Sequence, residues 1–309
     1  MQDRAFPALR ELLVSIAHAE APDFLGHIDP SFLDAVTVYW EYLFCDASSS
    51  GNVLESILMK LGELRQQPRH VRVVLDETME RMLHRPSPSH ALKPLPGSAE
   101  SLEPILSFTC LCTLKIGIDV VFQLDNDFIS EISQHLPNLE SLALVPLLKT
   151  DFSLVRFQQE EQETGQEDPG MDTRDTDGGV RRMLPTFDGL VSLVQGCPRL
   201  STLKVAVEST IVASDAISCA SRDGSRVRHM ELWATGLDPR LPDAAFHKFF
   251  TAYFPLLDYL HVVLPIEPHS QSELDPAVRD DLISVPISRD QARARWDAIL
   301  REMPLRTSV

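Results

Sequence analysis

PNLESLAL (Pro137–Leu144), PRLSTLKV (Pro198–Val205), PLLDYLHV (Pro255–Val262) and PALRELLV (Pro7–Val14) are four copies of one octapeptide, P-x-L-x-x-L-x-[LV]. Their spacing decides the fold. The last two apolar residues of each copy alternate with period two, as a strand with one buried face requires. The first leucine, three residues earlier, covers the turn that enters the strand. A proline two residues before it cannot continue a helix and sets an extended entry. Each copy therefore reads as a joint from helix through loop to strand. Leu111, Leu114 and Ile116 in LCTLKI, and Val227, Met230 and Leu232 in VRHMEL, keep the apolar spacing without the proline, and Val71 to Leu75 is a weaker seventh candidate.

Helical spacing precedes the joints. Phe128, Ile129, Ile132 and Leu136 lead into the second copy, with Asn126 and Asp127 as expected caps. Leu190, Leu193, Val194 and Cys197 lead into the third, and Phe246, Phe249, Phe250 and Tyr253 into the fourth. The unit is thus a helix plus a strand. Leu111 to Leu139 is 28 residues, Leu200 to Val227 is 27 and Val227 to Leu257 is 30, near the roughly 20–29 of a leucine-rich repeat. The expected fold is α/β, an irregular leucine-rich-repeat solenoid or horseshoe with parallel strands on the concave face and helices outside. A doubly wound α/β enzyme is the alternative, but the 13 glycines include no G-x-G-x-x-G turn.

The chain divides accordingly. Residues 1–83 read as divergent N-terminal repeats, in which Val53–Leu64 is an amphipathic helix and Phe32–Phe44 is left open between helix and strand. Residues 84–104, rich in Pro and Ser, read as a loop. Residues 105–288 carry the better repeats, and 289–309 a capping helix and tail, with Ala292, Trp296, Ile299, Leu300 and Met303 on one side. Leu139 and Leu200 are 61 residues apart, and between them residues 158–179 hold eight acids and one base with almost no apolar side chains. That segment is expected to be a disordered insertion that expands one unit. The first repeat begins at Phe6 with no capping segment ahead of it, so the chain is expected to be the tail of something longer.

Composition narrows the partners. Acids outnumber Lys and Arg 45 to 28, a formal charge of −17, which repels nucleic acid and anionic lipid alike. Met1–Pro7 has no apolar leader core, and no stretch approaches the ~18 uninterrupted apolar residues of a membrane span. Five cysteines without CxxC spacing suit a reducing compartment. The expected location is cytoplasmic or nuclear, with no nucleic-acid or membrane partner.

The four joints, together with HLPNLESLAL, GCPRLSTLKV and FFTAYFPLLDYL followed by RARWDAILREMP, resemble the repeat regions of basidiomycete fungal F-box proteins. The resemblance covers about two thirds of the chain. It implies an α/β horseshoe that holds a protein destined for ubiquitination, while an N-terminal F-box recruits the adaptor of a cullin ubiquitin ligase. The short leucine- and proline-rich F-box helices are not found upstream of these repeats, so the adaptor is a partner only if an F-box lies upstream of this chain.

Catalytic and metal motifs are weak. No HExxH, CxxC, GxSxG or GxxxxGK[ST] occurs. Cys110 and Cys112 are expected to face the same way on a strand edge, and a metal there would need further ligands. His229 and His261 are expected at matching strand positions, as exposed polar residues more readily than as a metal or acid–base pair. Ser87 and Ser89 have a common Ser-Pro context, and the acidic run lacks calcium-loop spacing. No catalytic, cofactor or metal residue is assigned. The residues between buried strand positions are expected on the concave face, where they meet an unidentified protein partner: Thr113, Lys115, Thr202, Lys204, His229, Glu231, Trp233, Tyr259 and His261, with Trp233 and Tyr259 as candidate anchors. Packing of Trp233 on a neighbouring loop is the competing expectation. The function expected is a non-enzymatic protein-interaction module, the substrate-recognition part of an F-box-type ligase receptor. A free-standing scaffold or fragment without a ubiquitin role is the second reading, and an unrecognised α/β hydrolase or transferase the third.

Overall fold

The computed structural model describes residues 9–16, 25, 33–40, 47–64, 66–75, 95–118, 120–145, 184–208, 225–234, 242–264 and 289–303. Among them, eight strands form one open parallel sheet: β1 (Glu11–Ile16), β2 (Ala35–Trp40), β3 (His70–Leu75), β5 (Thr113–Gly117), β7 (Ser141–Leu144), β8 (Thr202–Val207), β9 (His229–Ala234) and β10 (Tyr259–Val263). Strands β4 (Leu95–Ser98) and β6 (Val120–Gln123) pair in parallel as a separate small sheet. In the large sheet each strand lies beside the next one in sequence. A doubly wound sheet reverses its strand order at a switch point, and this order contains no reversal.

One backbone device repeats at every joint between these strands. The carbonyl just before a strand, or at its entry, accepts two consecutive N–H groups from the next strand's entry. Arg10 O accepts from Asp34 and Ala35, Asp34 O from Arg69 and His70, Arg69 O from Cys112 and Thr113, and Cys112 O from Glu140 and Ser141. Glu140 O, Ser201 O and Arg228 O continue the series to Thr202, His229 and Tyr259, at 2.7–3.2 Å throughout. Seven like joints between eight strands fix one register, so unequal connections leave the ladder unbroken.

The prolines end helices and start turns. Helices α2 (Asn126–His135), α3 (Phe187–Gly196) and α4 (Asp243–Tyr253) are each followed by a residue whose α conformation the next proline disfavours. Leu136, Cys197 and Phe254 accordingly adopt φ/ψ of −117/55°, −113/75° and −126/56°, while their N–H groups still donate to Ile132 O, Leu193 O and Phe250 O. A turn with proline at its second position follows, closed by Leu139 N–H to Leu136 O at 3.1 Å, Leu200 N–H to Cys197 O at 3.0 Å and Leu257 N–H to Phe254 O at 3.1 Å. These leucines are buried, as are Leu142, Leu203 and Leu260 on the strands that follow. Pro7, the first proline of the series, lies outside the described residues.

Helix α1 (Ala47–Gly62) lies within the expected N-terminal repeats, and α5 (Arg289–Glu302) closes the C-terminal end. Trp296 of α5 packs on Phe246 and Phe250 of α4, with ring centroids 5.8 and 6.3 Å apart, and Arg295 pairs with Asp243 at 2.8 Å. One apolar cluster runs from Ile16 to Ile299.

One segment left open is a strand, and other expectations need correction. The segment Phe32–Phe44 contains β2, whose Val36, Val38 and Trp40 are buried while the residues between are half-buried. The stretch 84–104 is not a loop throughout: Leu95–Ser98 is a strand, and Ala99–Ser107 is a 3-10 helix that buries Leu102 and Ile105. Ser98 caps it by accepting from Glu100 N–H at 3.2 Å. Helix α2 is capped by Asp125, whose Oδ1 accepts from Phe128 N–H at 2.8 Å, rather than by Asn126 or Asp127. The acidic stretch 158–179, together with Ser87 and Ser89, lies outside the described residues. β7 nevertheless pairs directly with β8, Leu142 opposite Leu203, so the long connection joins neighbouring strands.

Candidate protein-binding face

Strand register sorts the outward side chains into rows that cross the sheet. The first row is Glu11, Ala35, His70, Thr113, Ser141, Thr202, His229 and Tyr259. The second is Leu13, Thr37, Arg72, Lys115, Ala143, Lys204, Glu231 and His261. All nine residues expected on this face occur on outward positions of their strands, and eight of them fall in these two rows. His70 and Arg72 belong to the same rows and were missed, because β3 read as the weakest strand. The alternation in HVRVVL, with Val71 and Val73 buried, was the signal that placed them.

The ninth residue, Trp233, sits on a third row with Ala206 and Val263 and is only 5% exposed, with Val145 and Leu184 packed against that group. An exposed anchor at Trp233 is therefore corrected to a buried one. Its Nε1–H donates to Glu231 Oε1 at 3.0 Å, and Lys204 Nζ donates to Glu231 Oε2 at 2.7 Å. Burial pushes the Glu231 carboxyl up, but the hydrogen bonds from Lys204 and Trp233 and the positive charge of Lys204, with the nearby His261 ring acting in the same direction, outweigh it, and the group sits below the usual carboxylate range. Glu231 is thus held ionised, and it fixes both a lysine and an indole across two strands.

Tyr259 is 52% exposed, on the last strand of the sheet. Its ring centroid lies 6.4 Å from that of His229 and 6.3 Å from that of His261. The two histidines do not occupy matching positions: His229 is opposite Tyr259, and His261 is opposite Glu231. Tyr259 stands next to both, in a group of three rings at the C-terminal end of the face. Farther along, His70 Nδ1 and Thr113 Oγ1 are 3.0 Å apart.

Cys110 and Cys112 do not share a face. Thr109 and Cys110 form the turn before β5, Cys110 is exposed, and Cys112 is buried with its Sγ 3.4 Å from an Arg69 nitrogen. Among the described residues no group of three or more His, Cys, Asp or Glu side chains is gathered for a metal, and no helix is long and apolar enough to cross a membrane. A groove of about 460 Å³ between α1 and the 3-10 helix is lined by Glu55, Glu63, Glu100 and Glu103 with Met59 and Ser107. Of these carboxylates, Glu63 pairs with Lys60 at 3.0 Å.

Compared with known proteins, the chain matches no protein-family model, and no curated protein matches it.

Proposed function

We propose that the chain is a non-enzymatic protein-interaction module, an irregular leucine-rich-repeat solenoid whose parallel sheet forms the concave binding face. The observation that carries this reading is the strand order itself: successive units add strands in sequence, and each contributes outward side chains to shared rows. Such a surface suits an extended macromolecular partner better than a small substrate. The partner is a protein, because a net charge of −17 disfavours nucleic acid. Tyr259, half exposed beside His229 and His261, is the anchor at the C-terminal end. The buried Trp233 supports that end from within.

The likeness of the helix, P-x-L and strand joints to fungal F-box repeats supports a more specific role, the substrate-recognition part of a cullin ubiquitin-ligase receptor in the cytoplasm or nucleus. The test is quantitative affinity purification of the native full-length protein against a variant carrying Tyr259→Ala and His229→Ala. Loss of one partner with the fold intact is expected, and an identical partner profile refutes this face as the binding site. Recovery of a cullin and its adaptor supports the ligase role. Their absence leaves a scaffold without a ubiquitin connection.

A further inference from the structure

The two edges of the large sheet differ from its interior in the same way. On the six middle strands the inward row is closed: Val36, Val71, Leu114, Leu142, Leu203 and Met230 lie in one line, each 0–1% exposed. At the edges the inward rows open. Leu12 and Val14 on β1 and Val262 on β10 are only half-buried, as are Leu300 and Met303 of α5. Large apolar side chains also stand exposed on the outward side of both edges, Leu13 at 62% on β1 and Tyr259 at 52% on β10.

The backbone is open at both edges in complementary fashion. Ala35 N–H donates to Arg10 O, so the alternation of a parallel ladder turns the peptide groups of Leu12 and Val14 towards β2 and those of Glu11 and Leu13 away from it. At the far edge Tyr259 N–H donates to Arg228 O, which leaves the peptide groups of Leu260 and Val262, and the carbonyl of Asp258, turned away from β9. Among the described residues no strand pairs beyond β1 or β10. Neither strand carries the lysine or proline with which sheet edges commonly avoid pairing. The helix layer also runs one step past the sheet. Phe187 of α3 meets Phe249 of α4 at 5.0 Å, and Phe246 of α4 meets Trp296 of α5 at 5.8 Å. Helix α5 thus takes the helix position of a unit beyond β10, and among the described residues that unit has no strand.

We infer that a second copy of this chain docks at that edge, its β1 lying parallel to β10 and taking the strand position beside α5. The joint that recurs between neighbouring strands then recurs between copies, with Asp258 O accepting from Arg10 and Glu11 N–H of the second copy. This register sets Leu12 opposite Leu260 and Val14 opposite Val262, so both inward rows run on without a break. On the outward side it sets Leu13 opposite His261 and diagonal to Tyr259, within reach of both rings. The occupant is a second copy because one chain carries both halves of the contact, in the same stagger. The contact is head-to-tail, so each addition leaves one free β1 and one free β10, and copies add in open rows. This goes beyond the protein-binding reading, because it uses the edges of the sheet and leaves its face open.

The test is sedimentation velocity of the full chain over a concentration series, at low and at physiological salt. Species larger than the monomer should grow with concentration. Association should strengthen with salt, because copies that each carry a net charge of −17 repel one another and salt screens the repulsion. Leu13→Pro on β1 and Val262→Pro on β10 each remove an N–H that points away from the neighbouring strand. Both variants should stay folded by circular dichroism while association weakens about tenfold, the upper range for one lost hydrogen bond. Leu13→Lys, which keeps the N–H and charges the edge, should weaken it as well. Mixed in equal amounts, the two proline variants should form dimers that grow no further, since each retains the edge that the other lacks. Monomers at every concentration overturn the inference, as does association that the edge variants leave unchanged, or a mixture of the proline variants that stays monomeric. A monomeric chain that loses a native partner with Leu13→Pro replaces the second copy with a strand of that partner. A monomeric chain that loses a partner with Tyr259→Ala and His229→Ala refutes this inference and leaves the binding face standing. Self-association with an unchanged partner profile does the reverse.

Discussion

Helices α2 and α3 approach through small residues two turns apart, and Gly189→Ala measures how tightly. A β-carbon at Gly189 would overlap Asn126 Oδ1, and one at Gly196 would lie 2.6 Å from Ser133 Cβ and 2.7 Å from Ser133 O. Asn126 is not free to give way. Its Oδ1 accepts from Thr186 N–H at 2.9 Å and its Nδ2 donates to Thr186 Oγ1 at 3.0 Å, and Thr186 is 1% exposed. Two effects oppose each other. Alanine inside a helix gains about 1 kcal/mol over glycine. Turning Asn126 aside strips a buried N–H of its acceptor at about 1–3 kcal/mol, and holding it in place overpacks the interface at a similar cost of about 1–3 kcal/mol. Whichever of the two occurs, its mid-range value of about 2 kcal/mol less the propensity gain leaves a net loss of about 1 kcal/mol. Urea unfolding followed by circular dichroism reads this out. In an Asn126→Ala background the overlap is gone, so Gly189→Ala should then stabilise by its propensity gain, a coupling of about 2 kcal/mol. Stabilisation by Gly189→Ala in the wild-type background would refute the close-packing argument.

Three further outcomes are expected. Leu142→Ala, at a fully buried position in the middle of the sheet, should cost about 2–5 kcal/mol in the same urea assay, and a loss below 1 kcal/mol would show that the ladder does not bury this row. Glu231→Gln should destabilise at neutral pH by about 1 kcal/mol, discounted because Lys204 is 42% exposed. The Glu231 carboxyl is held below its ordinary range in the fold. Its contribution is therefore full above the unfolded pKa and is lost as pH falls through the folded one, so the two unfolding midpoints should converge in acid, and a constant gap would contradict the charge assignment. Burial pushes the Cys197 thiol up to about 12, and it sits 3.4 Å from Leu136 O. In mildly alkaline iodoacetamide, peptide mapping should find the exposed Cys110 modified before Cys197, with Cys197 reacting only after denaturant is added.

The parts of the fold legible in the sequence are those in which one residue type does one physical job. Pro137, Pro198 and Pro255 each bar the preceding residue from the helix, and three of the helices end where they dictate. The period-two residues of the same octapeptides became the inward rows of β7, β8 and β10, buried at Leu142, Leu144, Leu203, Val205 and Leu260 and half-buried at Val262. β2 was obscured because AVTVYW is apolar on both faces and lacks the entry proline. The strand at Leu95–Ser98 was obscured because LPGS carries loop chemistry. Trp233 was half legible: its strand position marked it as outward, but packing with Ala206, Val263, Val145 and Leu184 depends on a loop whose return path no local pattern encodes.

Cross-strand neighbours were the least legible feature, and the outward rows of the sheet are made of them. Arg72 and Lys115 are 43 residues apart, Lys204 and Glu231 27, and the entry of β7 lies 61 residues before that of β8. No single period maps one onto the next, so the sequence names the residues of a row without saying which of them touch. The repeated carbonyl at each joint supplies that information, because one acceptor serving two successive N–H groups sets the stagger of each strand against the last. A slip of one residue at any joint would send that strand's buried leucine outward. The burial of Leu114, Leu142, Leu203 and Met230 in one unbroken line therefore specifies the register. The same constraint that hides the leucines places Arg72 beside Lys115 on the opposite face, so that juxtaposition follows from the core rather than from any local preference.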